Sequence, residues 1–419
     1  MNTIERLPLN IVYGQGSKLI DDEGNGYLDF WGDEGVASMG YCTPTMRKLF
    51  DRYATFNIPH RLPDAYQNPR RTEAAQLLCD TAKYDQAFFC NSGAEANEAA
   101  IKLARRYWSK VAGRSDRMRI LTVEGNFHGR TGYALAASDS IDSPYHKAGY
   151  GPTPEGFSVI HDDLDITRAR SWDSDRECYY RDPQGAVDGA WDRVAAVIMA
   201  PILGNNTVKT YTSVFWERLE ALRQAHGFLI IFDEVQVATG RTGTFCAHHN
   251  PAVTHGVRPD IVAIGKGIAA GLPAAVVLAD DRVACAFQPG VHFSTFGASM
   301  IVCQAMTEVI RWWEENQAQL KEHEEIFRGE FISLEDDGLI QAFDGAGVHW
   351  GFTPQWSNLW NANGPRLVER AREYRLLMLT HREWAPIRFT PPLNIETEDL
   401  KNGFLALRRT LESFRTGKR

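Results

Sequence analysis

No stretch of this sequence approaches the roughly 18 uninterrupted apolar residues of a membrane-spanning helix. The longest candidate, Gly267 to Ala279, is short and broken by Gly271 and Pro273. The opening residues, MNTIERLPLN, lack the basic-then-apolar pattern of a secretory leader. Seven cysteines, scattered from Cys42 to Cys303, include no Cys-x-x-Cys pair. Their odd number makes reduced thiols in a cytoplasmic enzyme the simplest account. Basic residues are outnumbered, and the net charge of −8 offers no broad cationic footprint for nucleic acid. Gly265-Lys266-Gly267 is not part of a phosphate-binding P-loop string, and no Gly-x-Ser-x-Gly nucleophile elbow occurs. Cys246, His248, His249 and His255 lack standard zinc spacing, so no metal is expected.

What the chain does have is the composition of an ordinary globular protein, 44% hydrophobic and 23% charged over 419 residues. That length buries at least one large core and usually divides into two domains. From about residue 85, β-rich runs alternate with segments long enough for helices. The runs are Ala87–Cys90, Arg119–Val123, Phe157–His161, Ala195–Met199, Phe228–Phe232, Ile261–Ile264 and Ala274–Leu278. Several are apolar throughout, as expected of strands covered on both faces of a mostly parallel sheet. The pattern predicts an α/β domain with a seven-stranded sheet, spanning residues 56–299. The helical stretch Ile301–Trp313, strand-like Val348–Phe352 and Ile387–Thr390, and a terminal helix from Glu398 suggest a smaller α+β domain. It takes residues 300–419 together with residues 1–55. The polar tract from Arg168 to Asp192 reads as a surface excursion.

Three strand ends carry the chemistry. After Phe88-Phe89-Cys90, Ser92 with Glu95 three residues on forms a capping signal for a helix. The free N–H groups of Gly93 and Ala94 at such a terminus suit a phosphate, although a capped helix alone decides nothing. Phe228–Phe232 delivers Asp233 to the end of a buried strand, where a carboxylate needs a cationic partner. Ile261–Ile264 delivers Lys266 between two glycines to the same edge. Singly, a solvated acid and a surface lysine are the commoner meanings of such residues. Together they suit a lysine that forms a Schiff base in a desolvated, partly cationic setting.

The run FCNSGAEANEAAIKLAR resembles the phosphate-binding segment of the acetylornithine and ornithine aminotransferases of class III. LIIFDEVQ, GRTG and PDIVAIGKGIAAGLP resemble the same family's aspartate and lysine segments. FHGRT at Phe127–Thr131, STFG at Ser294–Gly297, RFTPPLNI at Arg388–Ile395 and YLDF at Tyr27–Phe30 extend the likeness over nearly the whole chain. The resemblance implies pyridoxal phosphate (PLP) as cofactor, on fold type I. It implies that Lys266 forms the Schiff base and moves the α-proton, while Asp233 keeps the pyridine nitrogen protonated. Ser92, Gly93 and Ala94 would hold the phosphate, Phe127 would stack on the ring with His128 beside it, and Gln236 would lie near the phenolic oxygen. Thr295 would reach the phosphate of a neighbouring subunit, making the active unit a homodimer. Arg388 would bind a substrate carboxylate, and Arg130 a second one.

Some segments depart from the family's pattern. Ala200-Pro201-Ile202-Leu203-Gly204-Asn205-Asn206 replaces a run with two glutamates, the second of which pairs in dual-substrate members with the arginine matching Arg388. With Asn205 there, Arg388 is expected to stay available to an α-carboxylate. Gly297-Ala298-Ser299-Met300 and Val237-Ala238-Thr239-Gly240 also differ beside the pocket. The expected activity is an acetylornithine-like transamination between an amino acid and a 2-oxo acid. The alternative is PLP-dependent α-decarboxylation, on a free amino acid or on an aminoacyl group of a larger carrier such as a modified nucleotide.

Overall fold

The computed structural model describes residues 9–56, 58–59, 61–62, 66–187, 189–204, 208–359, 361–380 and 386–415. A nine-stranded sheet organises it. The strand order is Gln86–Cys90, Ala275–Ala279, Ile261–Ile264, Leu229–Asp233, Val194–Met199, Arg119–Val123, Phe157–Ile160, Arg170–Asp173, Cys178–Arg181. The five strands from Ile261–Ile264 to Phe157–Ile160 pair in parallel. Antiparallel pairings flank them on both sides. Gln86–Cys90 is antiparallel to a strand that is itself antiparallel to the core. Its carboxyl end therefore emerges at the same sheet edge as those of the five.

Seven strands were expected and nine are present. The two extra ones are the hairpin Arg170–Asp173 and Cys178–Arg181, inside the tract read as a surface excursion. Its residues are half-buried or exposed and mostly polar, so they carry no apolar alternation to mark them as strands. Ion pairing of Arg119 with Asp182, and a 2.6 Å bond from Ser158 Oγ to Asp182 Oδ2, fasten it to the sheet.

Both faces of the core strands are covered, which is why their sequences are apolar without alternation. Ile261 and Ala263 pack on Ala96, Ala99, Ala100 and Leu103 of the helix Gly93–Arg106. Val262 and Ile264, pointing the other way, join Ala74 and Leu78 of Pro69–Ala82 and Cys303 and Met306 of Met300–Glu315. At about 1.5–3 kcal/mol per large apolar side chain, this burial fixes the register of the strands that carry the site.

A second core gathers both ends of the chain. Gly26–Asp29 pairs with Leu376–Leu377 in one small sheet, and Ile340–Ala346, His349–Pro354 and Ile387–Phe389 form another. Phe30, Phe327, Phe331, Phe389 and Phe404 interlock between them. The helix Met300–Glu315 packs on the large sheet instead, so in packing terms the change of core falls after it rather than at residue 300. Trp313 touches both cores. The turn between Ile340–Ala346 and His349–Pro354 docks into the loop after Gln236, with Val348 N donating to Arg241 O at 2.9 Å.

Candidate active site

The carboxyl edge of the large sheet brings Asp233 and Lys266 together from neighbouring strands, with Asp233 in register with Ala263. Asp233 is 6% exposed. Its Oδ2 accepts from Asn97 Nδ2 at 2.8 Å and meets His128 Nδ1 at 2.7 Å, while Oδ1 accepts from Val235 N at 3.1 Å. His128 is fixed in turn by Thr122 Oγ1 at 3.2 Å and by Ser138 Oγ, which accepts from its backbone N at 2.8 Å. A buried carboxylate held this way is aimed rather than merely tolerated.

Lys266 opens a short 3-10 turn, Lys266–Ala269, with φ of +46°. Gly267 is required behind it, since a Cβ there would lie 2.8 Å from Ser38 Cβ and 3.0 Å from Gly35 O. Ser38 Oγ closes that contact by donating to Gly267 O at 2.6 Å. The segment around residues 32–38 is thereby pressed against the lysine turn. Desolvation pushes the Lys266 ammonium down to about 8; the Arg388 charge assists, while Glu34 and Asp233 oppose. An amine so poised is a competent nucleophile near neutral pH.

Ser92 caps the helix Gly93–Arg106, its Oγ accepting from Glu95 N at 3.2 Å. Glu95 returns not to Ser92 but to Asn91, accepting from its backbone N at 2.9 Å. Val235 fits between the two glycine turns: a Cβ on Gly93 would stand 2.6 Å from Val235 Cγ1, and one on Gly265 3.1 Å from the same atom. The phosphate-type helix terminus, the aimed acid and the amine therefore share one cradle. They fit a phosphorylated pyridine aldehyde: backbone N–H groups for the phosphate, Asp233 for the ring nitrogen, Lys266 for the aldehyde.

Phe127 is half-buried, its ring 6.3 Å from that of His146, and Arg130 is exposed with its guanidinium 5.0 Å from the Phe127 ring centroid. Thr295 is exposed on an outer loop, where its carbonyl accepts from Arg61 Nε at 2.8 Å. Neither Arg130 nor Thr295 bonds to the Asp233–Lys266 cluster. Cys246, His248 and His249 have ligand-type atoms within 4.8 Å of one another. His248 Nδ1 meets buried Glu234 at 2.7 Å, and Glu234 also accepts from Ala247 N and His248 N. That network anchors the chain just after Asp233.

The expectation that Arg388 stays available is corrected. Arg388, 8% exposed on the strand Ile387–Phe389, forms an ion pair with Glu34 through Nη2 and Oε2. The same Oε2 stands 3.9 Å from Lys266 Nζ and accepts from Gln236 Nε2 at 3.2 Å. Asn205, whose identity prompted the expectation, lies outside the described residues. The acid comes instead from a turn 354 positions before Arg388 in sequence. Asp33 and Glu34 both adopt left-handed backbone there, with φ of 49° and 62°. An acidic pair between Gly32 and Gly35 was the available signal. Asn97, an amide on an alanine face, was the signal for the second missed residue.

The family described as Aminotransferase class-III matches residues 2–411. The chain belongs to that family. It is therefore a PLP-dependent aminotransferase, and this supports transamination over the decarboxylase alternative. The chain is similar to the acetylornithine aminotransferase of Methanocaldococcus jannaschii, 30% identical over 94% of this chain and 91% of that one. It is 31% identical to that of Vibrio vulnificus over 98% and 94%. In fold it is similar to the ornithine aminotransferase of Toxoplasma gondii, with a TM-score of 0.83 at 24% identity over 99% and 91%. Among the described residues no helix of this aminotransferase is long and apolar enough to cross a membrane.

Proposed function

We propose that this aminotransferase moves an amino group from an amino acid of the acetylornithine type to a 2-oxo acid, with Lys266 as the proton-moving amine and Arg388 as the receptor for the α-carboxylate of the 2-oxo acid and of the amino acid it becomes. One observation carries the reading: a single oxygen, Glu34 Oε2, contacts both Lys266 Nζ and Arg388 Nη2. An amino acid with a free α-amine, such as the glutamate formed from 2-oxoglutarate, brings its α carbon alongside Lys266 when its carboxylate displaces Glu34, which is the near-attack placement transamination needs.

The cofactor, when bound, supplies an electron sink for the substrate's amine-bearing carbon. The chain's own residues do the rest. Asp233, oriented by His128 and Asn97, favours a proton on the ring nitrogen. Lys266, with its ammonium held near 8, takes the proton from the amine-bearing carbon and returns it across the same face. Gln236 holds Glu34 through its side-chain amide and so links the carboxylate receptor to the ring side of the cleft. On the division into residues 56–299 and residues 1–55 with 300–419, Lys266 and Asp233 lie on the larger unit and Glu34 and Arg388 on the smaller. The substrate then sits between the two.

A homodimer fits the exposed loop at Thr295, flanked by Phe293 and Phe296 at 63% and 71% exposure. Such apolar exposure is what a partner subunit would cover. The unpaired cysteines fit a cytoplasmic setting. The direct test supplies N-acetylornithine and 2-oxoglutarate to purified protein and measures glutamate, with a parallel incubation of L-glutamate alone, whose α-amine is free, in which carbon dioxide is measured. Glutamate without carbon dioxide is expected; carbon dioxide released in step with substrate loss would overturn the proposal.

A further inference from the structure

Beside Arg388 lie buried groups whose hydrogen-bonding capacity the protein does not use. His349 is fully buried, and among the described residues neither its Nδ1 nor its Nε2 has a partner. Arg388 Nε–H is likewise buried and without one. Native interiors leave few such atoms, and an unfilled set around one site marks a place where something else binds.

The backbone puts the two side chains on one face. Gly351 pairs directly with Arg388 across neighbouring antiparallel strands. His349 lies two residues before Gly351 on the same strand, so it shares that face as the diagonal neighbour of Arg388. Its ring is turned towards the cleft. A Cβ on Gly204 would lie 3.4 Å from His349 Nε2 and would collide with Gln236 Oε1. The missing Cβ of Gly204 thus admits the Gln236 amide beside the imidazole. Burial, reinforced by the positive charges of Arg388, Arg241 and Lys266 against the opposing charge of Glu34, holds His349 well below the usual histidine range. The ring is therefore neutral, with one N–H donor and one bare acceptor nitrogen.

We propose that His349 is a substrate-binding residue that donates a hydrogen bond to the carboxylate received by Arg388. The assignment rests on Arg388 being that receptor. Arg388 offers Nη2, taken by Glu34 in this state, and an unused Nε–H on the same edge of its guanidinium. Those two donors match the fork of a carboxylate, whose remaining lone pairs need a further donor once water is excluded. A neutral imidazole supplies it without adding positive charge beside Lys266. A substrate lacking a carboxylate has no use for it. His349 thereby separates carboxylate-bearing donors from simple amines.

The test uses cofactor-loaded protein, with succinate as the binding probe and L-glutamate as the donor. His349→Leu is expected to raise the succinate Kd and the L-glutamate KM by roughly tenfold to a hundredfold, the scale of a hydrogen bond to a charged group. kcat and the visible spectrum should be little changed. His349→Gln, which keeps an N–H donor, should recover most of the loss. A His349→Leu protein with a shifted Tm and an unchanged succinate Kd would overturn the proposal, because a packing role alone gives that pattern. Arg388→Ala separates the two assignments. If it weakens succinate while His349→Leu does not, only the role of His349 fails; if neither does, the Arg388 receptor fails with it.

Discussion

Two carboxylates face each other across this cleft, and they are held in opposite ways. Asp233 ends a buried strand, is 6% exposed, and takes its bonds from a helix amide, an imidazole and a backbone N–H. Glu34 sits on a turn in left-handed backbone, its side chain 28% exposed, and reaches Arg388, Lys266, Gln236 and Trp31. The partners of Asp233 are fixed by sheet and helix packing, so its position costs nothing to maintain during a reaction. The partners of Glu34 are charged or flexible groups that a substrate can also engage. The cofactor side of the site is prebuilt, whereas the substrate side is occupied by a contact made to be exchanged.

The sharpest way to break the prebuilt side is Lys266→Ala. The protein should lose its visible absorbance and its activity together, the missing proton transfer alone being worth roughly 10²–10⁴-fold. An unchanged visible spectrum and a borohydride-reducible adduct in the variant would remove Lys266 from its role. Asp233→Asn comes next. The cofactor should still bind, but the neutral amide cannot keep the ring nitrogen protonated. A turnover loss of about 2.7–4 kcal/mol is expected, the scale of removing one preorganised electrostatic group. Near-normal kcat in a folded, cofactor-loaded variant would count against the assignment.

The same contrast explains what the sequence made legible. Asp233, Lys266 and the Ser92 cap each stand at the end of an apolar run, so a local pattern announces them. The substrate side has no such pattern. Glu34, Gln236, His349 and Arg388 come from four separate segments, and only tertiary packing brings them together. Reading residues 200–206 for an acid could not find one supplied by residue 34. The strand count failed for a related reason: a mostly polar hairpin with neither face buried in the core leaves no hydrophobic period to read.

Glu34→Gln probes the exchangeable side. Freed of its counter-ion, Arg388 should bind α-carboxylates more tightly by about 1 kcal/mol, roughly fivefold in KM, because the partly exposed Glu34 end and the desolvation of Arg388 keep the net worth of the pair small. The pH profile should move as well. Glu34 raises the Lys266 ammonium from the position that burial would give it, so its removal should lower Lys266 below about 8. The free amine, and with it the rate of cofactor capture, rises with pH through that value. In Glu34→Gln the rise should come at lower pH. A pH profile superimposable on that of the wild type would mean that Glu34 does not face the amine in solution.

The smallest effect sharpens the comparison from the other direction. Ser92 contributes a cap to the helix that presents Gly93 and Ala94, through one bond from Glu95 N. Ser92→Ala should cost about 0.5–2 kcal/mol of stability, a drop in Tm of about 1–3 °C in a chain of this size. Since the cap also holds the terminus open, the cofactor should dissociate a few-fold more readily. Glu95 still tethers Asn91, so the turn should not collapse. The decisive feature is selectivity. With cofactor in excess, every amino donor should be affected in the same ratio, because Ser92 belongs to the prebuilt side and touches none of the groups that read the substrate. Equilibrium dialysis of the cofactor, with KM values for several donors at saturating cofactor, would check this. A change confined to one donor would show that the two sides are coupled, and that the exchangeable contact at Glu34 reaches back into the phosphate cradle.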